Sequence, residues 1–133
     1  MTEAEKRSHR VCFTGHRPEK LSEPESVVCR KLEDAIRASV DDGYFVFISG
    51  MARGVDIWAA EIVLKEREQN PAIKLICASP FICPGYSRAC FQIRNEWMVA
   101  HSARVIAVYN GEKGGTRNTI EYAKKHGVET ILL

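Results

Sequence analysis

The stretch Phe47–Glu61, FISGMARGVDIWAAE, changes character in its middle: an apolar run ends at Ser49-Gly50, and four residues later a helical pattern opens at Gly54. An apolar run that breaks at glycine and resumes as a helix is a strand-loop-helix unit. With glycines at Gly50 and Gly54 just before the helix, the loop is either a tight connection or a cradle for a ligand.

The same alternation repeats on both sides of this unit. Upstream, a strand is predicted near Arg10–Thr14, a helix near Pro24–Asp42 and a strand near Tyr44–Ser49, with a helix near Val55–Gln69 completing the opening motif. Downstream come a strand near Ile73–Ala78, a helix near Ser87–His101, a strand near Arg104–Tyr109, a helix near Thr116–His126 and a last strand near Val128–Leu132. Short apolar runs alternating with longer amphipathic ones predict an α/β chain with a mostly parallel sheet of about five strands. In the first long helix Val28, Leu32, Ala35, Ile36 and Val40 share one face. Ser22 and Glu25 have the spacing of a capping box, with Pro24 in the first turn. Between Ile57 and Leu64 only Glu61 is charged, which predicts a mostly buried helix. No internal repeat, low-complexity tract or linker interrupts the pattern.

A chain of 133 residues, 45% hydrophobic and 27% charged, is expected to form one domain over residues 1–133. The first ten residues, MTEAEKRSHR, mix both charge signs without an apolar segment, so they do not read as a signal peptide. Residues 1–9 are expected to be a flexible, frayed lead-in. No apolar run approaches the ~18 residues of a membrane span, so a cytoplasmic protein without a membrane partner is expected. Nineteen Lys+Arg against 17 Asp+Glu leave a formal charge of +2, short of the basic excess of an obligate nucleic-acid binder, which argues against a nucleic-acid partner. Five cysteines, an odd number without a C-x-x-C pair, argue against a zinc site or a disulfide frame, and no metal is expected. Cys12 and Cys77 read as small buried thiols inside apolar runs. Cys83 and Cys90 fall near the expected site.

In an open parallel sheet the loops after the strands share one edge and converge on a crevice. Here they read TGHRPEKL, SGMARGVD, SPF and YNGEKGGTRN. In SGMARGVD, Gly50 and Gly54 let backbone N–H groups approach an anion at a helix start, with Met51 and Ala52 between them and Arg53 as a clamp. The plainer alternative is a tight connection in which Asp56 satisfies the helix dipole. The spacing is neither G-x-G-x-x-G nor G-x-x-x-x-G-K-[ST], so the common nucleotide fingerprints do not apply. GGTRNT repeats the logic: Gly114 and Gly115 free the backbone, Thr116 is a candidate N-cap, and the hydroxyls of Thr116 and Thr119 have the reach to meet a phosphate or ribose. TGHRPEKL supplies Thr14, Gly15, His16 and Arg17, the last being the best side-chain phosphate binder of the set. His16 is either an acid or base or a histidine bonded to its own loop. Arg94 and Asn95 in QIRNEWMV either face the crevice or form a solvated stripe, and Trp58 and Trp97 read as core.

Taken in order, TGHRPEKL, SGMARGVDIWAAE, IRNEWMV and GGTRNTIEYA resemble the SLOG superfamily, and within it the YpsA-like branch, from about Val11 to the C-terminus. The resemblance implies a Rossmann-like α/β/α sandwich that binds nucleotides or nucleotide-derived ligands in a sensory role and that homodimerises. It places Ser49, Gly50, Arg53, Gly54, Gly114, Gly115 and Thr116 around the ligand. Three departures qualify it. Pro80-Phe81 runs almost directly into ICPGYSRACF, as though roughly 30 residues, about one βα unit, were absent. The LOG phosphoribohydrolases carry P-G-G-x-G-T-x-x-E, and their catalytic glutamate falls on Thr119, which leaves His16, Asp56 and Glu61 as the candidates for an alternative nucleosidase. SGMARGVD also approaches the S-G-x-A-x-G-I-D of the single-stranded DNA binder DprA, but the histidine of that family falls on Ala60.

Overall fold

The computed structural model describes residues 1–78 and 88–133 and pairs five strands side by side. They are β1 (Arg10–Gly15), β2 (Val46–Ser49), β3 (Lys74–Cys77), β4 (Arg104–Val108) and β5 (Glu129–Leu132), all parallel, in the order β3-β2-β1-β4-β5. The helices are α1 (Glu3–Arg7), α2 (Glu25–Asp41), α3 (Val55–Gln69), α4 (Arg88–Ala100) and α5 (Gly115–Lys125).

Side-chain alternation along the strands divides the core. Val11, Phe13, Phe47, Ile106 and Val108 point to one face, where Val28, Leu32 and Ile36 of α2 and Ala59 and Val63 of α3 cover them. Cys12, Ile48 and Val105 point to the other, against Met98 and Val99 of α4 and Ala123 of α5. The result is the three-layer α/β/α sandwich expected from the sequence, with both sheet faces dry, which is why β4 reads RVIAV without a polar break. The chain winds outward from β1 through β2 to β3 on one side, then crosses to β4 and β5 on the other. The winding therefore reverses between β1 and β4, and in such sheets that switch point is where ligands bind.

Several local expectations are corrected. Residues 3–7 are helical: the Thr2 hydroxyl accepts the Glu5 N–H at 3.1 Å, Arg7 Nε donates to the Ser102 carbonyl at 3.1 Å, and Glu3 pairs with Arg10 at 2.7 Å. Ser22 and Glu25 make no capping box, because Pro24 takes the N-cap position itself and leaves Ser22 outside the helix. Thr116 is not an N-cap, since Gly114 holds that place with φ 150° and Thr116 lies inside the first turn. Cys77 is exposed because β3 is an edge strand. Trp97 is 41% exposed and stacks on His101 at 4.2 Å instead of entering the core. Cys83, the SPF loop and the shortened segment before Tyr86 lie outside the described residues.

The edge opposite the crevice is tied by Arg104, 7% exposed at the start of β4. Its guanidinium meets Asp42 at 2.9 Å, Glu129 at 3.2 Å and the Ser39 hydroxyl at 3.1 Å, and lies over the Tyr44 ring at 4.5 Å. Its planar, forked donors thus link the end of α2 to β4 and β5. Arg104→Met is expected to cost about 2 kcal/mol and to lower Tm by about 6 °C, and Arg104→Lys to recover less than half, as read by thermal unfolding.

Candidate functional site

At the C-terminal edge of the sheet the loops after β1, β2 and β4 lock together. Gly15 ends β1 hard against the first residue of α3, since a Cβ there would lie 2.5 Å from Val55 Cγ2. Gly54, with φ 95°, abuts Pro18, whose Cδ would stand 2.8 Å from an added Cβ. Only glycine satisfies both the left-handed backbone and that approach. Glu19 and Arg53 pair across the same two loops at 2.7 Å, both more than half exposed. Arg53, read as a phosphate clamp, is thus held by a carboxylate, while Arg17 stands exposed.

The β2–α3 loop is held from below by three side chains. The Ser49 hydroxyl donates to the Asp56 carbonyl at 2.8 Å and accepts the Met51 N–H at 3.1 Å. Arg94 Nη1, reaching over from α4, donates to the Gly50 carbonyl at 2.9 Å, and its Nη2 donates to Asn95 Oδ1 at 3.1 Å. The Ala52 N–H donates to Asp56 Oδ2 at 3.4 Å. Arg94 and Asp56 are 9% and 6% exposed and both press on Gly50, where a Cβ would lie 2.8 Å from each. Burial pushes the Asp56 carboxyl up to about 6, with the Arg94 charge and the Ala52 N–H pulling the other way. Burial also pulls the Arg94 guanidinium down, with Asp56 opposing. Arg94 and Asn95 therefore belong to the crevice and not to a solvated stripe.

The β4–α5 loop is built differently. Asn110 Nδ2 donates to the Lys20 carbonyl at 2.6 Å, and Asn110 Oδ1 accepts the Glu112 N–H at 2.8 Å, which ties the loop to the β1–α2 connection. Beyond it, among the described residues nothing lies within 4 Å of a Cβ built on Gly114 or Gly115, and both glycines at the α5 start are exposed. Thr119 donates to the Gly115 carbonyl at 2.8 Å, while Thr116, 5% exposed in the same turn, makes no such bond. Between the two glycine loops stands His16, 7% exposed, its N–H on the Val108 carbonyl at 3.3 Å and its ring stacked on Tyr109 at 5.5 Å. His16 Nε2 is buried without a hydrogen-bond partner. Burial lowers its pKa, with Glu112 opposing, so the ring is neutral at pH 7. Next to Tyr109 is a cavity of about 30 Å³ under Leu21, room for about one water and not for a nucleotide.

Of the candidate residues, Thr14, Gly15, His16, Ser49–Gly54, Asp56, Arg94, Asn95 and Gly114–Thr116 gather at this edge. Glu61 does not: it is exposed on α3, about 9 Å along the helix from its start. Thr119, where the LOG-type glutamate would fall, has a hydroxyl that is spent on the α5 backbone, and the Glu121 carboxylate pairs with Arg117 at 3.0 Å on the exposed side of α5. Sequence reasoning missed Tyr109, Asn110 and Glu19, although the YNG turn was a visible signal for the first two. Among the described residues, no three His, Cys, Asp or Glu side chains group to hold a metal, and no helix is long and apolar enough to cross a membrane.

The fold has counterparts among known proteins. DNA processing protein A from Helicobacter pylori, described for its single-stranded DNA binding mode, superposes with a TM-score of 0.70 at 22% identity over 98% of this chain and 66% of that one. DNA processing protein A from Streptococcus pneumoniae does so with a TM-score of 0.72 at 19% identity, over 94% and 50%. The chain thus spans less than two thirds of either structure. The SPbeta prophage-derived protein YoqJ of Bacillus subtilis is 31% identical over 139 residues, covering 71% of this chain and 81% of that protein. A UPF0398 protein of Bacillus thuringiensis is 29% identical over 154 residues, covering 88% and 83%. Both alignments are longer than the 133-residue chain, so the relatives carry internal residues that it lacks, in keeping with its short form. The sequence model of the YspA SLOG family matches residues 11–86, more than half the chain and both the TGHRPEKL and SGMARGVD loops, and the chain belongs to that family.

Proposed function

We propose that this protein binds a nucleotide or nucleotide-derived ligand at the C-terminal edge of its sheet, as a sensory or regulatory domain, with the phosphate at the start of α5. The observation that carries this reading is the contrast between the two glycine loops. The α3 start already holds a carboxylate, Asp56, and is roofed by Pro18. The α5 start is exposed, and among the described residues nothing fills the space before it, Thr116 makes no side-chain hydrogen bond beside it and His16 Nε2 stands unpartnered at the switch point. Free N–H groups and a helix dipole at α5 favour an anion, and the buried His16 Nε2 gains a partner from its ribose.

The test is thermal unfolding against AMP, ADP, NAD, ADP-ribose and cyclic AMP. A ligand at 100 times its Kd adds about 2.7 kcal/mol and raises Tm by about 8 °C, and Thr116→Val is expected to reduce the shift without lowering the unliganded Tm. No shift with any of the five would overturn the reading.

The second reading is single-stranded DNA binding, favoured by the likeness to the two DNA processing protein A structures, a likeness of fold alone at this identity. Its mark is affinity for an oligonucleotide that rises steeply as salt falls. Nothing comparable supports hydrolysis, given the uses to which Thr119 and Glu121 are put.

A further inference from the structure

We infer that Met51 seats the base of the bound nucleotide. This inference rests on the nucleotide reading above and adds to it the subsite for the base.

Met51 has φ 58°, the only positive φ at a non-glycine residue among those described. Left-handed backbone is costly for a side chain with a Cβ, and a loop that merely connects β2 to α3 would carry glycine or asparagine there. The structure holds the strain in place on both sides. Ser49 Oγ accepts the Met51 N–H at 3.1 Å, Arg94 holds the preceding carbonyl at 2.9 Å, and Asp56 accepts the following N–H at 3.4 Å. The two charged braces are more than nine-tenths buried. What this effort presents to solvent is a large apolar side chain, 42% exposed. The other exposed large hydrophobics among the described residues lie on helices, on β5 or at Met1, so Met51 alone stands on a crevice loop. A polarizable, unbranched thioether suits the face or edge of an aromatic ring.

The placement fits one ligand class. β2 and β4 flank β1, so their C-terminal ends stand about 10 Å apart, with Met51 beyond the first and the α5 start beyond the second, on the two sides of the β1 end. The phosphate sits at the α5 start, the ribose passes over the end of β1 beside His16 Nε2, and the base rests on Met51.

The test compares AMP with ribose 5-phosphate, which lacks the base, by NMR titration of the wild type, Met51→Gly and Met51→Asn. Glycine and asparagine both accept the left-handed backbone, so Tm should not fall. AMP is expected to bind about tenfold more weakly to both variants, while ribose 5-phosphate stays within about twofold of wild type. Unchanged AMP affinity would overturn the inference and leave the nucleotide reading standing. An equal loss for both ligands would also overturn it, by making Met51 a residue that shapes the loop and not one that touches the base. Failure of the wild type to bind AMP would overturn the inference, and the nucleotide reading falls with it only if ADP, NAD, ADP-ribose and cyclic AMP also fail to bind.

Discussion

Gly15→Ala is expected to lose about 3 kcal/mol of stability, with Tm falling by about 10 °C, although it adds a single methyl group. Three atoms of Val55 would lie 2.5, 2.6 and 2.9 Å from the new Cβ, all on a branched side chain with little freedom to turn. Neither residue has room to retreat. Gly15 is hydrogen-bonded into the centre of the sheet opposite Val108, and Val55 is 1% exposed at the start of α3. The methyl group must push α3 off the sheet end, which also moves the Asp56 and Ser49 contacts of the crevice. The double variant Gly15→Ala, Val55→Ala is expected to be more stable than the sum of the two single changes by at least 1 kcal/mol, because the second removes the obstacle to the first. Denaturant unfolding of the four proteins measures that coupling. Simple additivity would show that the contact at the β1 end is not what limits the site.

Asp56→Asn is expected to stabilise the protein above pH 6, by about 2 to 3 kcal/mol, and to make no difference near pH 4. The folded Asp56 keeps its proton to about 6, against an ordinary value of 3.8. Between those two values the folded state binds more protons than the unfolded chain, so stability falls as pH rises through the window. The loss is complete above about pH 6. Asparagine has no such titration and can still accept the Ala52 N–H, so the difference between variant and wild type isolates Asp56 from every other group that titrates. Chemical unfolding at intervals from pH 4 to 8 reads it directly. A wild type that is the more stable protein at pH 8 would contradict it and mean that Arg94 over-compensates the burial. The expected result makes Asp56 a charge retained against stability, as functional sites commonly require.

The sequence conveyed the architecture well and the roles within the site less well. Strand and helix periods are local, so the β-α alternation was legible, and so was the set of loops that must meet at one edge. The roles of Arg53 and Arg94 were not. Arg53 sits in the glycine loop and reads as the clamp, yet Glu19, 34 residues away in the chain, takes it at 2.7 Å. Arg94 reads as one polar residue on an apolar helix, yet it holds a carbonyl of that same loop from 44 residues away. Ser22 and Thr116 failed as caps for a smaller reason of the same kind: which residue opens a helix depends on where the preceding chain is anchored.

By itself, the sequence determined an α/β chain with a parallel sheet, strand and helix positions from β1 onward to within about two residues and two glycine loops at the C-terminal edge of that sheet, because backbone preference and hydrophobic period act over a few neighbours. Only the tertiary structure decided that the two loops differ. The α3 loop is closed by Asp56, Arg94 and Pro18 and lifts Met51 into solvent, whereas the α5 loop stays open beside His16. Those contacts join residues far apart in the chain, and what decides among them is the burial of charge and the close approach of atoms, neither of which exists until the layers have packed.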